Sequence, residues 1–267
     1  MLAVGKPIFD PLLSPCIILP DIEYGLPSIF DANEKLFLII ASLIKELLIL
    51  DSLNLKLIYA IDTHVHADHI TSAAALREIT NCKIAGPAKD NLSCRDINFK
   101  NGDNLVIGNS IRMEAIYTPG HTDTHFSYVL NNKNEKLLFS GDALLINTCG
   151  RTDFQSGSSK DLYNTIKKIF YSMPDNTKVF PAHDYNNNNF STIKAQKKDN
   201  ALINEKINVE DFIENMKNLK LDKPKKMIFS YLNDKNNNSR LINGWRRELV
   251  DIDKISNITA PFFSINH

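Results

Sequence analysis

Thr63-His64-Val65-His66-Ala67-Asp68-His69 is the most informative run of residues in this chain. Three of the seven histidines lie within it, beside a carboxylate. Imidazole nitrogen and carboxylate oxygen are both ligands for divalent transition metals. On a helix, only residues three or four apart share a face. Histidines two apart therefore place the cluster on an extended segment or a tight loop at a strand end. The apolar run Leu55 to Ile61 directly before it reads as a buried strand that stops at the cluster.

Downstream, Ile70 to Ile79 reads as a helix and Lys83 to Ala85 as a short strand ended by Gly86-Pro87. The turn Asn101-Gly102-Asp103 introduces two β-rich runs, Asn104 to Ile107 and Ile111 to Tyr117. The second leads into Thr118-Pro119-Gly120-His121. Phe126 to Leu130 and Lys136 to Phe139 form a hairpin pattern, and the second arm leads into Ser140-Gly141-Asp142. A helix is expected from Ser158 or Ser159 to about Tyr171. Lys178 to Phe180 reads as a strand leading into Pro181-Ala182-His183-Asp184-Tyr185. Phe212, Ile213, Met216 and Leu219 give residues 209–219 the stripe of an amphipathic helix that faces a core.

Four strands thus end in loops that carry a His or an Asp. Ligands of α/β sheets gather outside the carboxyl ends of strands. The expectation is that His64, His66, Asp68, His69, His121, Asp142 and His183 assemble at one sheet edge. His125 is expected to face solvent.

Upstream, Pro15 to Leu19 and Ser28 to Phe30 read as short strands. Asn33 caps a helix expected over Glu34 to Leu50, nearly continuous in apolar residues. This is the most apolar window of the chain, but it is too short and too charged to span a bilayer. Beyond Ser230 the sequence turns Asn-rich and loses its pattern. We expect one domain over 1–229 and a C-terminal extension over 230–267, partly disordered.

Basic and acidic side chains balance at 31 each. That argues against nucleic acid or an anionic membrane as the main partner. Cys16, Cys82, Cys94 and Cys149 show no paired spacing and read as free thiols in a reducing compartment. The first ten residues show neither a secretory pattern nor the Arg-rich composition of a transit peptide, so the cytoplasm is expected, with the mitochondrial or another organelle matrix as the alternative.

Taken together, His64-Val65-His66-Ala67-Asp68-His69, Gly120-His121, Gly141-Asp142 and His183 resemble the metallo-β-lactamase superfamily. The resemblance implies an α/β fold, an αββα sandwich of two mixed β-sheets flanked by helices. Hydrolases and oxidoreductases share that fold, so it does not by itself fix the reaction. Further residues resemble the persulfide dioxygenases: Gly141 to Ile146, Cys149-Gly150-Arg151-Thr152-Asp153-Phe154-Gln155, and Pro181 to Tyr185. The cousin family, glyoxalase II, shares Cys-Gly-Arg but typically lacks the Thr-Asp-Phe-Gln that follows here.

The resemblance implies one Fe(II) per chain, held by His64, His121 and Asp142. Two imidazoles and a carboxylate leave coordination positions open. His66, Asp68, His69 and His183 would support these ligands or bind a second metal, zinc included, if the chain were a hydrolase of glutathione thioesters. Arg151 would hold glutathione through its guanidinium fork, and Tyr185 would line the site beside the bound sulfur. The expected substrates are glutathione persulfide and O2, with sulfite and glutathione as products. The sequence leaves room for a homodimer.

Overall fold

The computed structural model describes residues 16–20, 27–31, 36–39, 56–65, 73–107, 111–132, 135–182, 188 and 190–219. Among the described residues, twelve strands form two mixed six-stranded sheets. The first holds β1 (Cys16–Pro20), β2 (Pro27–Asp31), β3 (Leu36–Ile39), β4 (Lys56–Ile61), β5 (Lys83–Pro87) and β6 (Ile97–Phe99), in that spatial order. β1, β2 and β3 pair antiparallel, and β3 through β6 run parallel. The second runs β12 (Ser191–Thr192), β11 (Lys178–Pro181), β10 (Glu135–Gly141), β9 (Phe126–Asn132), β8 (Ile111–Tyr117) and β7 (Asn104–Ile107). Its pairs are antiparallel except β10 with β11. The described helices are α1 (Ala73–Thr80), α2 (Ser159–Asn164), α3 (Ile193–Asp199) and α4 (Val209–Asn218). α2 runs on into a π-helical turn, Thr165–Phe170.

The period of two along each strand explains the layers. On β9, Tyr128 and Leu130 point into the apolar layer shared with Ile61, Ala85 and Phe99 of the first sheet, while Val129 points the other way. On β10, Leu137 and Phe139 face that inter-sheet layer and Leu138 faces the helices. The outer layer packs Leu162, Ile166 and Phe170 with Ile193, Phe212 and Met216. β9 and β10 are buried on both faces along Tyr128 to Leu130 and Leu137 to Phe139, which is why those stretches are unbroken apolar runs. β8 alternates instead: Ile111, Met113 and Ala115 are buried and Arg112 is exposed.

The helix expected over Glu34 to Leu50 is corrected at its start, because Leu36–Ile39 is β3, an inner strand paired on both sides. Leu36 to Ile39 is an unbroken apolar run, and periodicity cannot separate such a run in a strand from one in a helix. Residues 40–55 lie outside the described residues, as does the extension expected over 230–267. Among the described residues, no helix is long and apolar enough to cross a membrane. Cys82, Cys94 and Cys149 are free thiols, as expected.

Candidate metal centre

Three of the four expected strand ends meet. β4 is followed by Asp62-Thr63-His64, β8 by the loop that carries His121, and β10 directly by Asp142. The loops come from both sheets, not from one sheet edge as expected, so the site lies where the two sheets end side by side. His64, His121 and Asp142 offer ligand atoms that all lie within 4.8 Å of one another.

Asp142 Oδ2 is 3.7 Å from His64 Nε2 and 3.5 Å from His121 Nε2. The two imidazole rings meet edge to face, with centroids 4.8 Å apart. Two ligand atoms that each bond one ion at 2.0–2.2 Å lie about 3.0–3.5 Å apart. The two separations from the carboxylate are close to that size and the three ligand atoms span 4.8 Å, so the side chains converge on a space that a single transition-metal ion would draw tighter. With neutral imidazoles the triad carries one negative charge, which suits a divalent cation.

The surrounding chain fixes the tautomer of His121. His121 Nδ1 donates to the main-chain carbonyl of Arg151 at 2.7 Å, which leaves Nε2 with its lone pair. His64 Nδ1 lies 2.9 Å from the Thr63 hydroxyl, and its Nε2 faces the carboxylate. Glycines make the close approach possible. A Cβ on Gly150 would run into the Asp142 carbonyl and lie 2.8 Å from His121 Nδ1. Gly141, at φ +55, would set a Cβ 2.6 Å from His125 Nε2.

His125 is a correction. Expected to face solvent, it is fully buried, and its ring lies 5.1 Å from that of His64. Its Nδ1 is 2.9 Å from the Thr118 hydroxyl, and its Nε2 has no hydrogen-bond partner. Burial, with help from His121, pushes its pKa well below the usual imidazole value. Phe126 and Tyr128 continue the strand into the core, and that position draws His125 inward.

Arg151 is half-buried. Its guanidinium forks onto Asp153, Nε to Oδ1 at 2.7 Å and Nη2 to Oδ2 at 2.8 Å, and lies 4.2 Å above the Phe154 ring. The hydrogen bonding from Arg151 holds the Asp153 carboxyl below its usual range. His66, Asp68, His69, His183 and Tyr185 lie outside the described residues.

A buried ionic cluster behind the His64 loop has no signature in the sequence. Arg95 Nη1 donates to Asp90 at 2.6 Å and to the Pro87 carbonyl at 2.8 Å, and Nη2 reaches Asp62 at 3.4 Å. Tyr128 donates its hydroxyl to the Asp62 carbonyl at 2.6 Å. Through Asp62 the cluster ties the start of the His64 loop to the segment Pro87 to Asp90. The charged spacing of Asp62, Asp90 and Arg95 has no local pattern, and only the fold brings them together.

Residues 30–183 match the metallo-beta-lactamase superfamily. Persulfide dioxygenase ETHE1 of Mus musculus, a mitochondrial protein, is 37% identical over 187 residues, 70% of this chain and 69% of that one. The crystal structure of ETHE1 from Myxococcus xanthus superposes with a TM-score of 0.73 at 34% identity, covering 82% of this chain and 97% of that one. A hydroxyacylglutathione hydrolase of Pseudomonas aeruginosa is 32% identical over 145 residues, 54% of each chain. This chain belongs to the metallo-β-lactamase superfamily and, within it, to the persulfide dioxygenase family. It is an enzyme of that family, with glyoxalase II-type hydrolases as more distant relatives.

Proposed function

We propose that the chain oxidises glutathione persulfide with O2, using one Fe(II) held by His64, His121 and Asp142. The observation that carries this reading is the spacing of the two Nε2 atoms around Asp142 Oδ2, 3.7 and 3.5 Å. Such a set of two imidazoles and one carboxylate is that of non-heme iron oxygenases.

The reaction balances as persulfide, O2 and water giving glutathione, sulfite and two protons. The terminal sulfur gives up four electrons and O2 accepts four. Both atoms of O2 go to that sulfur, and water supplies the third sulfite oxygen as the sulfur–sulfur bond breaks. Bound Fe(II) supplies the redox chemistry that couples O2 to a closed-shell persulfide, which a d10 zinc ion does not.

The chain's own groups orient and hold. The Arg151 carbonyl keeps His121 in the tautomer that presents Nε2. The Arg151 guanidinium binds a glutathione carboxylate in place of Asp153. Tyr185, His66, Asp68, His69 and His183 are assigned to the bound sulfur and oxygen by family resemblance, as hydrogen-bonding groups. We assign residues 1–229 to the catalytic domain. The mitochondrial relative supports the organelle placement over the cytoplasmic one.

The hydrolase reading keeps its footing in the match to hydroxyacylglutathione hydrolase. One preparation given each substrate in turn separates the two. Sulfite from glutathione persulfide, with S-lactoylglutathione left intact, supports the dioxygenase. Hydrolysis of S-lactoylglutathione without sulfite from the persulfide overturns it.

A further inference from the structure

The segment that follows Arg151 does more than close a loop. Gln155 and Ser156 both adopt left-handed backbone conformations, φ +47 and +56, although neither is glycine. Such conformations persist only where the surroundings hold them. Here Gly157 N donates to the Phe154 carbonyl at 2.7 Å, and the Thr152 and Ser159 hydroxyls meet at 2.7 Å. The result is that the Gln155 side-chain amide donates to the Val65 carbonyl at 2.7 Å, across ninety positions of sequence.

Val65 directly follows His64. The same loop is held from its other side, where Phe126 N donates to the Thr63 carbonyl at 2.8 Å. The segment also grips the second ligand loop. Arg151 accepts from His121, and Ser158 N donates to the Gly120 carbonyl at 2.8 Å. One strained turn therefore joins the His64 loop to the His121 loop.

The geometry points to Gln155 as a positioning residue for the metal centre, acting through the Val65 carbonyl to fix the backbone that presents His64. It rests on the proposed metal site, not on the identity of the substrate. It gives the last residue of Thr152-Asp153-Phe154-Gln155 a specific task. The carbonyl needs a donor, so the amide is required and side-chain volume alone is not enough.

The test compares Gln155→Ala with Gln155→Glu, which keeps the shape and at neutral pH offers no donor. Fe(II) affinity is read by chelator competition, Co(II) absorption reports ligand geometry, and the melting temperature is read on metal-free protein. Both variants are expected to lose about tenfold or more in metal affinity and to shift the Co(II) bands. The metal-free melting temperature is expected to stay within a few degrees of wild type. Wild-type affinity and spectrum in Gln155→Glu would overturn the proposal, as would a metal-free protein destabilised in step with the lost affinity. These readouts need no turnover. A wild-type protein that makes no sulfite while both variants still lose metal would sink the dioxygenase reading and leave this one standing.

Discussion

His121 Nδ1 donates to the carbonyl of Arg151 at 2.7 Å, so a residue expected to bind substrate with its side chain holds a proposed metal ligand with its backbone. The two roles are coupled by one peptide unit, and the residue before it, Gly150, leaves the room that the contact needs. Gly150→Ala would push a methyl group into the Asp142 carbonyl and against His121 Nδ1. Overpacking of this kind costs about 1–3 kcal/mol. The variant is expected to unfold at lower denaturant and to bind less metal per chain. Denaturation and metal analysis check this, and wild-type metal content would contradict it.

Arg151→Lys keeps the charge and loses the planar fork. We expect KM for glutathione persulfide to rise about tenfold, worth about 1.4 kcal/mol, with kcat much less affected. Steady-state kinetics decide it. A fall in kcat at unchanged KM would place the guanidinium outside the substrate site.

Asp153 titrates below its ordinary value of 3.8 because Arg151 hydrogen-bonds its ionised form. A depressed carboxyl contributes stability above its unfolded pKa and loses it as pH falls through the folded one. The advantage of wild type over Asp153→Asn is therefore expected to be constant above about pH 4 and to vanish below it. It is small, because Asp153 is largely exposed. Melting temperatures at pH 7 and in the acid range check the sign. An advantage that grows in acid would contradict the pairing.

Burial pushes the Cys149 thiol up to about 12 and also raises Cys82. Only the thiolate reacts with alkylating reagents. At pH 8 about one Cys149 in ten thousand is ionised. Cys94 is half-buried. In native protein, alkylation followed by peptide mass analysis is expected to label Cys94 well before Cys82 and Cys149. Early labelling of Cys149 would contradict the packing against Met216, 3.9 Å away.

That His64, His121 and Asp142 come together was legible because each stands within four residues of the end of an apolar strand, and a strand's end fixes where the next residues go. β7 and β8 were legible to their end residues because a turn signal and alternation agree there. β3 was not, since Leu36 to Ile39 carries no period that separates a buried strand from a helix. The two-residue β12 and the helix α3 passed unread in a polar stretch, where Thr192 caps α3 through its hydroxyl at 3.1 Å from Ala195 N. His125 was misread because a polar side chain in a turn ordinarily faces water. Arg95 and Gln155 act through partners 33 and 90 positions away, and no local spacing reports contacts of that range.

The most direct measurement follows O2 uptake and sulfite formation together, on protein reconstituted with Fe(II) and given glutathione persulfide, beside an Asp142→Ala variant. The account predicts about one iron per chain, one sulfite formed per O2 consumed, and loss of both metal and uptake in the variant. Iron-loaded protein that consumes no O2, or a variant that keeps wild-type iron and turnover, would contradict it.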